Sequence, residues 1–125
     1  FDFANVAVDE IAELLFAECG SLANVNLGNV KTISNQAFLS CTALTKIVIP
    51  VSVDVIGNYV FSACNSLKEI FIEDTDPDGL AIGGFEPFGS ATNVLQIFVS
   101  TESVAAKFQA DLQYAIYKDL ITAKP

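Results

Sequence analysis

The chain contains no histidine. That removes the usual general base of Ser–His and Cys–His nucleophilic sites and the commonest nitrogen ligand of zinc. Methionine is absent too, even at position 1, which points to a mature or trimmed form whose signal peptide, if there was one, is gone. Basic residues are scarce: six Lys and Arg stand against fifteen Asp and Glu, a formal net charge of −9. Nucleic acids and anionic lipid surfaces are bound by clustered cations, so neither is an expected partner. The charge suits solubility or a basic partner. No apolar run approaches the roughly 18 residues of a membrane-spanning helix; the longest are strand-sized, such as Ile47-Val48-Ile49. Gly79, Gly83 and Gly84 lack the Gly-Lys-Ser/Thr of a phosphate loop. Nothing in the spacing sets two carboxylates across a cleft, as glycoside hydrolysis requires. No catalytic residue and no cofactor emerge, and an enzyme is not expected.

What is present is repetition, on a chain of 125 residues that is 52% hydrophobic, enough for one domain with its own core. The frame is Phe-x-x-Cys-x-x-Leu-x-x-Ile-x-Ile. One unit supplies Phe38, Cys41, Leu44, Ile47 and Ile49, and the next repeats it as Phe61, Cys64, Leu67, Ile70 and Ile72. An earlier unit reads Phe16, Cys19, Leu22, Val25 and Leu27; a later one reads Phe88, Ala91, Val94, Ile97 and Val99. Ile11, Ile33 and Ile56 recur five residues before the phenylalanine. The Ile-x-Ile end alternates and predicts a short strand with isoleucine facing in, near 24–27, 46–49, 69–72 and 96–99. The three-residue period of Phe-x-x-Cys-x-x-Leu suits a helical or 3₁₀ turn. One unit cannot bury its own apolar face, so stacked units should form a parallel sheet on one side and short helical turns on the other.

The stretch Leu44 to Cys64, with Ile49-Pro50, Ser52-Val53, Ile56-Gly57 and Phe61-x-x-Cys64, resembles the BspA-like leucine-rich repeat. Residues 27–36 are similar, but Gly28 replaces the proline and Ser34 the glycine. The resemblance covers about residues 11–100, and Val99 to Val104 resembles the C-terminal cap of such arrays. It implies a right-handed α/β repeat solenoid with helical caps, from a bacterial (often Bacteroides-like), secreted or cell-surface protein that binds other macromolecules. It carries over no catalytic residue. The expected organisation is one domain over 1–125, with an N-terminal cap at 1–10, repeats to about 100 and a C-terminal cap at 101–125. Asp9 can open a first helix through Ala17, and Thr101 can cap a helix through Phe108, with Glu102 in its first turn. Residues 112–121 should fold over the last repeat; 1–8 have no evident place.

Each candidate for chemistry has a plainer structural reading. Cys19, Cys41 and Cys64 recur once per repeat at an apolar position. An odd number without C-x₂-C spacing suits buried free thiols, with a disulfide between neighbouring repeats as the alternative. Asp74, Asp76, Asp78 and Gly79 match the opening of a calcium loop. The bidentate acid should fall at position 85, which is Phe85, so a polar turn is the competing reading.

The strand residues that face away from the core stack into rows. The central row reads Asn26, Val48, Phe71 and Phe98; one flank reads Asn24, Lys46, Glu69 and Gln96, and the other Gly28, Pro50, Glu73 and Ser100. An apolar stripe of Val48, Phe71 and Phe98 between polar rows has the make-up of a contact surface, although β-propensity alone also favours Val and Phe in strands. The expected function is a non-catalytic module that binds a protein or glycan through this face. The alternative is a structural spacer or fragment of a longer array, with or without calcium at residues 74–79.

Overall fold

A computed structural model of the chain describes residues 1–90, 93–94 and 96–125. Two parallel four-stranded sheets run through it. The first stacks β1 (Glu10–Ile11), β2 (Thr32–Ile33), β4 (Val55–Ile56) and β6 (Ala81–Ile82). The second stacks β3 (Lys46–Ile49), β5 (Glu69–Ile72), β7 (Gln96–Val99) and β8 (Ile121–Ala123). In the first, Ile11, Ile33, Ile56 and Ile82 are in register; in the second, Ile47, Ile70, Ile97 and Ile121 are. The isoleucine that recurs before each phenylalanine thus builds a second ladder where one sheet was expected. A two-residue strand offers no alternation to read, so its recurrence was its only signal.

The side that carries the Phe-x-x-Cys segment is not helical. Amides of Leu14, Phe16 and Glu18 donate to the carbonyls of Asn35, Ala37 and Leu39 in the next coil, and Gln36, Phe38 and Ser40 donate to Asn58, Val60 and Ser62. Leu14, Glu18, Gln36, Ser40, Tyr59 and Ala63 take positive φ of 55–62°, the same two places in each coil. Such backbone costs a non-glycine residue about 1 kcal/mol or more. Here it turns alternate amides along the stack, and the cross-coil bonds offset the cost. A 3.6-residue helix would close those amides on itself and leave adjacent coils unbonded.

The core lies between these three sides. Phe16, Phe38 and Phe61 stack at centroid distances of 5.3 and 5.5 Å with rings 9° from parallel. Phe38, Cys41, Leu44, Ile47 and Ile49 are buried, as are their counterparts Phe61, Cys64, Leu67, Ile70 and Ile72. The first unit departs from the expectation, because Phe16, Cys19, Leu22 and Val25 are only half-buried. They sit at the end of the stack and have a full coil on one side only. Of the fourth unit, Phe88, Val94, Ile97 and Val99 are buried, and Ala91 lies outside the described residues.

The N-terminal end differs from the expected helix-capped array. Residues 9–17 form no helix: β1 occupies 10–11, and turns follow. The strand expected at 24–27 is reduced to Asn26, bridged in parallel to Asp2. Asn26 is bonded through its amide to the Phe1 carbonyl and through its carbonyl to the Phe3 amide. Phe1 and Phe3 cover the Phe16 ring at 5.3 and 5.9 Å, so the segment without an evident place seals the first coil. Gly28, at φ 58°, permits this: a Cβ there would lie 2.5 Å from the Phe3 carbonyl oxygen.

The C-terminal end is closed as expected by helix α1 (Glu102–Ala110), whose Thr101 hydroxyl accepts the Val104 amide at 3.3 Å. A 3₁₀ helix follows at Leu112–Leu120, and its three-residue repeat aligns Tyr114 and Tyr117 on one buried row. Their hydroxyls donate to the Leu80 and Gly89 carbonyls, each at 2.7 Å. Gln113 occupies the place of a missing strand beside β6. Its Oε1 accepts the Ile82 amide at 3.1 Å and its Nε2 donates to the Leu80 carbonyl at 3.3 Å. A strand edge left open would invite pairing with other chains, and Gln113 closes that of β6.

Candidate binding face

Strand pairing brings the predicted surface residues together. Lys46, Glu69 and Gln96 are direct neighbours in one row, and Val48, Phe71 and Phe98 in the next. Alternation sends Ile47, Ile49, Ile70, Ile72, Ile97 and Val99 inward, so both rows face out. Asn26 does not join the central row: it is bridged to Asp2, and Val48 is paired with Phe71 alone. Where the ladder lapses, a hollow of about 320 Å³ opens among Val25, Leu27, Val48 and Pro50.

The Phe71 and Phe98 rings stack at 5.0 Å, 30° from parallel. Both are half-buried, whereas Val48 is 43% exposed. A second hollow, about 280 Å³, lies over Val48, Phe71 and Phe98, with Glu73, Ser100 and Lys124 at its rim. Glu73 and Lys124 each follow a strand and are set by amide bonds to the Ile49 carbonyl (3.0 Å) and the Val99 carbonyl (2.8 Å).

β8 contributes two positions that sequence reasoning missed. Thr122 extends the central row beside Phe98, and its hydroxyl donates to Gln96 Oε1 at 2.9 Å. Lys124 extends the row of Pro50, Glu73 and Ser100. The available signal was Ile121-Thr122-Ala123, which repeats the in–out–in of Ile97-Phe98-Val99 at the repeat spacing.

The other candidates resolve differently. The Cys41 thiol donates to the Phe16 carbonyl and the Cys64 thiol to the Phe38 carbonyl, each at 3.1 Å. All three cysteines are free, and Cys19 is half-buried where full burial was expected, since it belongs to the end coil. Burial, then the neighbouring Cys19, raises the Cys41 pKa; burial pushes the Cys64 thiol up to about 12. Cys41 and Cys64 are thus poorly reactive thiols of the core.

In the acidic loop, Asp74 Oδ1 accepts the Asp76 amide at 3.1 Å and Asp76 Oδ1 accepts the Asp78 amide at 2.9 Å. Pro77–Gly79 forms a 3₁₀ turn capped by Asp76, with Pro77 and Leu80 buried beneath it. Among the described residues no group of three His, Cys, Asp or Glu converges as a metal site.

Parallel two- and four-residue strands recurring with a Phe-x-x-Cys turn define a leucine-rich-repeat protein. The chain belongs to the BspA type leucine-rich repeat family, whose model, a region of six repeat copies, matches residues 2–102. The match begins at Asp2, which makes the bridge to Asn26. The family supports a repeat-type protein-interaction module; its members are typically bacterial and secreted or surface-bound, and generally not enzymes. No curated protein and no solved structure matches the chain. Among the described residues, no helix is long and apolar enough to cross a membrane.

Proposed function

We propose that the chain is one end-capped leucine-rich-repeat solenoid over residues 1–125, acting as a secreted or cell-surface, non-catalytic module that binds a protein or glycan. Its contact surface is the outer face of the β3–β5–β7–β8 sheet, with Val48, Phe71 and Phe98 at the centre and Lys46, Glu69 and Gln96 along one rim.

The observation that carries this reading is the Phe71–Phe98 stack on an outward row. Folding gains by hiding such area, and aromatic residues at the centre of a polar-rimmed patch are the usual anchors of an interface. Strands hold both rings in fixed register, so little side-chain freedom is lost when a partner binds. The complete lack of histidine supports the non-catalytic part.

The test is to immobilise the chain, capture binders from bacterial or host surface extracts, and repeat with Phe71→Ala. Loss of the same binder at an unchanged fold supports the reading. Equal capture by both forms sinks it.

A further inference from the structure

Beyond the sheet-face reading, we infer that the N-terminal side of the first coil is a docking face for one further coil of the same repeat, running into Phe1–Phe3. Later coils make a recurring set of bonds to the coil before them. On the β1–β2–β4–β6 side, the Thr32 and Ser34 amides donate back to the Asp9 and Ile11 carbonyls at 3.0 and 2.9 Å, and the Gly57 and Gly83 amides donate to those of Ile33 and Ile56, each at 2.8 Å. On the turn side the Asn35, Ala37 and Leu39 carbonyls accept amides of the first coil, and those of Asn58, Val60 and Ser62 accept amides of the second. In the core, the Cys41 and Cys64 thiols reach back to the Phe16 and Phe38 carbonyls.

The counterparts of these groups in the first coil are the amides of Glu10 and Ala12, the carbonyls of Glu13, Leu15 and Ala17, and the Cys19 thiol. Among the described residues, none of these groups meets a hydrogen-bond partner. Leu14 and Leu15 beside them are about half exposed, at 49% and 54%. Only the strand side already has its next coil. Asp2 is bridged in parallel to Asn26, and the Phe1 α-ammonium donates to the Asn24 carbonyl at 2.6 Å. Phe1 and Phe3 thus hold the places that Ile47 and Ile49 hold one coil further on from Val25 and Leu27, and the α-ammonium lies where a ladder amide would.

The bonding pattern selects the occupant. Two open amides followed by three open carbonyls require two carbonyls followed by three amides. The first coil offers that set to the second through Asp9, Ile11, Leu14, Phe16 and Glu18. A second copy of this chain does not supply it, because its C-terminal end is closed by α1 and by Tyr117, whose hydroxyl accepts the Phe88 amide at 3.3 Å. Two N-terminal ends face to face would set Asp2, Asp9, Glu10, Glu13 and Glu18 against their own copies, with no Lys or Arg before Lys31 to offset them.

The test appends a copy of the chain's own Thr32–Lys46 segment directly before Phe1, with its cysteine changed to alanine. In that register the copied Thr-Ile pair falls beside Glu10–Ile11, and the copies of Gln36, Phe38 and Ser40 bring amides to the carbonyls of Glu13, Leu15 and Ala17. A scrambled segment of the same composition is the control. Native-state amide exchange and Cys19 labelling are measured on both extended proteins and on the unextended chain. We expect Glu10 and Ala12 to exchange freely in the unextended chain. The repeat extension should slow their exchange and Cys19 labelling by about tenfold or more, and the scramble should slow neither. Equal rates in the two extended proteins overturn the inference. So does an unextended chain in which Glu10 and Ala12 are as protected as Thr32 and Ser34, since those amides would then already be partnered.

Discussion

The thiol of Cys64 donates to the carbonyl oxygen of Phe38, one coil earlier, at 3.1 Å, and the same oxygen accepts the Cys41 amide at 3.2 Å. Cys41 repeats the arrangement on Phe16, whose carbonyl also takes the Cys19 amide at 3.1 Å. Sulfur adds a donor here that alanine lacks. Thiolate is the reactive form, so a thiol pushed up to about 12 is nearly unreactive at neutral pH. Thiol titration of the native protein should label half-buried Cys19 first and leave Cys41 and Cys64 silent. Unfolding without reductant should reveal all three cysteines. Only one thiol after unfolding would mean that a disulfide forms in solution.

Alkali should weaken the fold through groups held neutral in the core. Burial raises Cys64 and Tyr117 to about 12, and burial also raises Tyr114, with the Asp111 and Asp74 charges adding to it. Each folded pKa exceeds its unfolded value, so the neutral form's contribution is complete below the unfolded pKa and disappears as pH rises through the folded one. For these residues that window runs from about pH 9 to 12. The urea midpoint should hold steady from pH 7 to 8.5 and then fall. Tyr117→Phe should shallow the fall. It should also cost about 1–3 kcal/mol at pH 7, because the Gly89 carbonyl and the Phe88 amide both lose a buried partner.

Gly28→Ala should loosen the N-terminal seal. A methyl group would collide with the Phe3 backbone, and φ 58° is costly for alanine. The expected loss is about 1–3 kcal/mol, with faster amide exchange at Phe3 and Asn26 than in the rest of the chain. An unchanged exchange pattern would show that residues 1–8 contribute little to closing the stack.

Calcium should bind no tighter than about 10⁻⁴ M, the weak end for extracellular modules. Asp74 and Asp76 each spend an oxygen on a loop amide, Pro77 fixes the turn on the core, and Phe85 stands where the bidentate acid would be needed. Calorimetric titration is the check, and submicromolar affinity would mean the loop rearranges around the ion.

The long strands were legible because Ile47-x-Ile49, Ile70-x-Ile72 and Ile97-x-Val99 alternate over enough residues to fix which side faces in. The candidate surface followed from them, since parallel register makes Val48, Phe71 and Phe98 neighbours once their strands are placed. The turn side was misread as helical because i, i+3 spacing fits a helix as well as it fits turns with residues four apart at positive φ. Leu14 and Tyr59 give no hint of such backbone, which usually shows itself through glycine or asparagine. The broken first strand was hidden for another reason: Val25 and Leu27 keep the frame, but their coil is drawn toward Phe1–Phe3 by contacts distant in sequence. Thr122 and Lys124 were missed because β8 lies beyond a helix and a 3₁₀ segment that interrupt the repeat.

Phe71 separates a ring kept for binding from a ring kept for stability. It is half-buried, and its stacking on Phe98 gives the fold some stake in it, about 0.5–1.5 kcal/mol for such a pair. Phe71→Ala should therefore lower stability by about 1–2 kcal/mol, far less than the roughly 3–5 kcal/mol expected when a core ring such as Phe38, fully buried between Phe16 and Phe61, is removed. Phe71→Leu should recover most of that stability by restoring apolar area. If the ring serves only the sheet, binding should follow stability, and the leucine variant should bind like wild type. If it anchors a partner, leucine should restore the urea midpoint without restoring affinity, because a branched aliphatic chain cannot reproduce the flat edge beside Phe98. Urea denaturation and equilibrium binding measured on the same three proteins decide between the two. A Phe71→Ala protein as destabilised as Phe38→Ala would place the stripe in the core and remove the outer face as a binding surface.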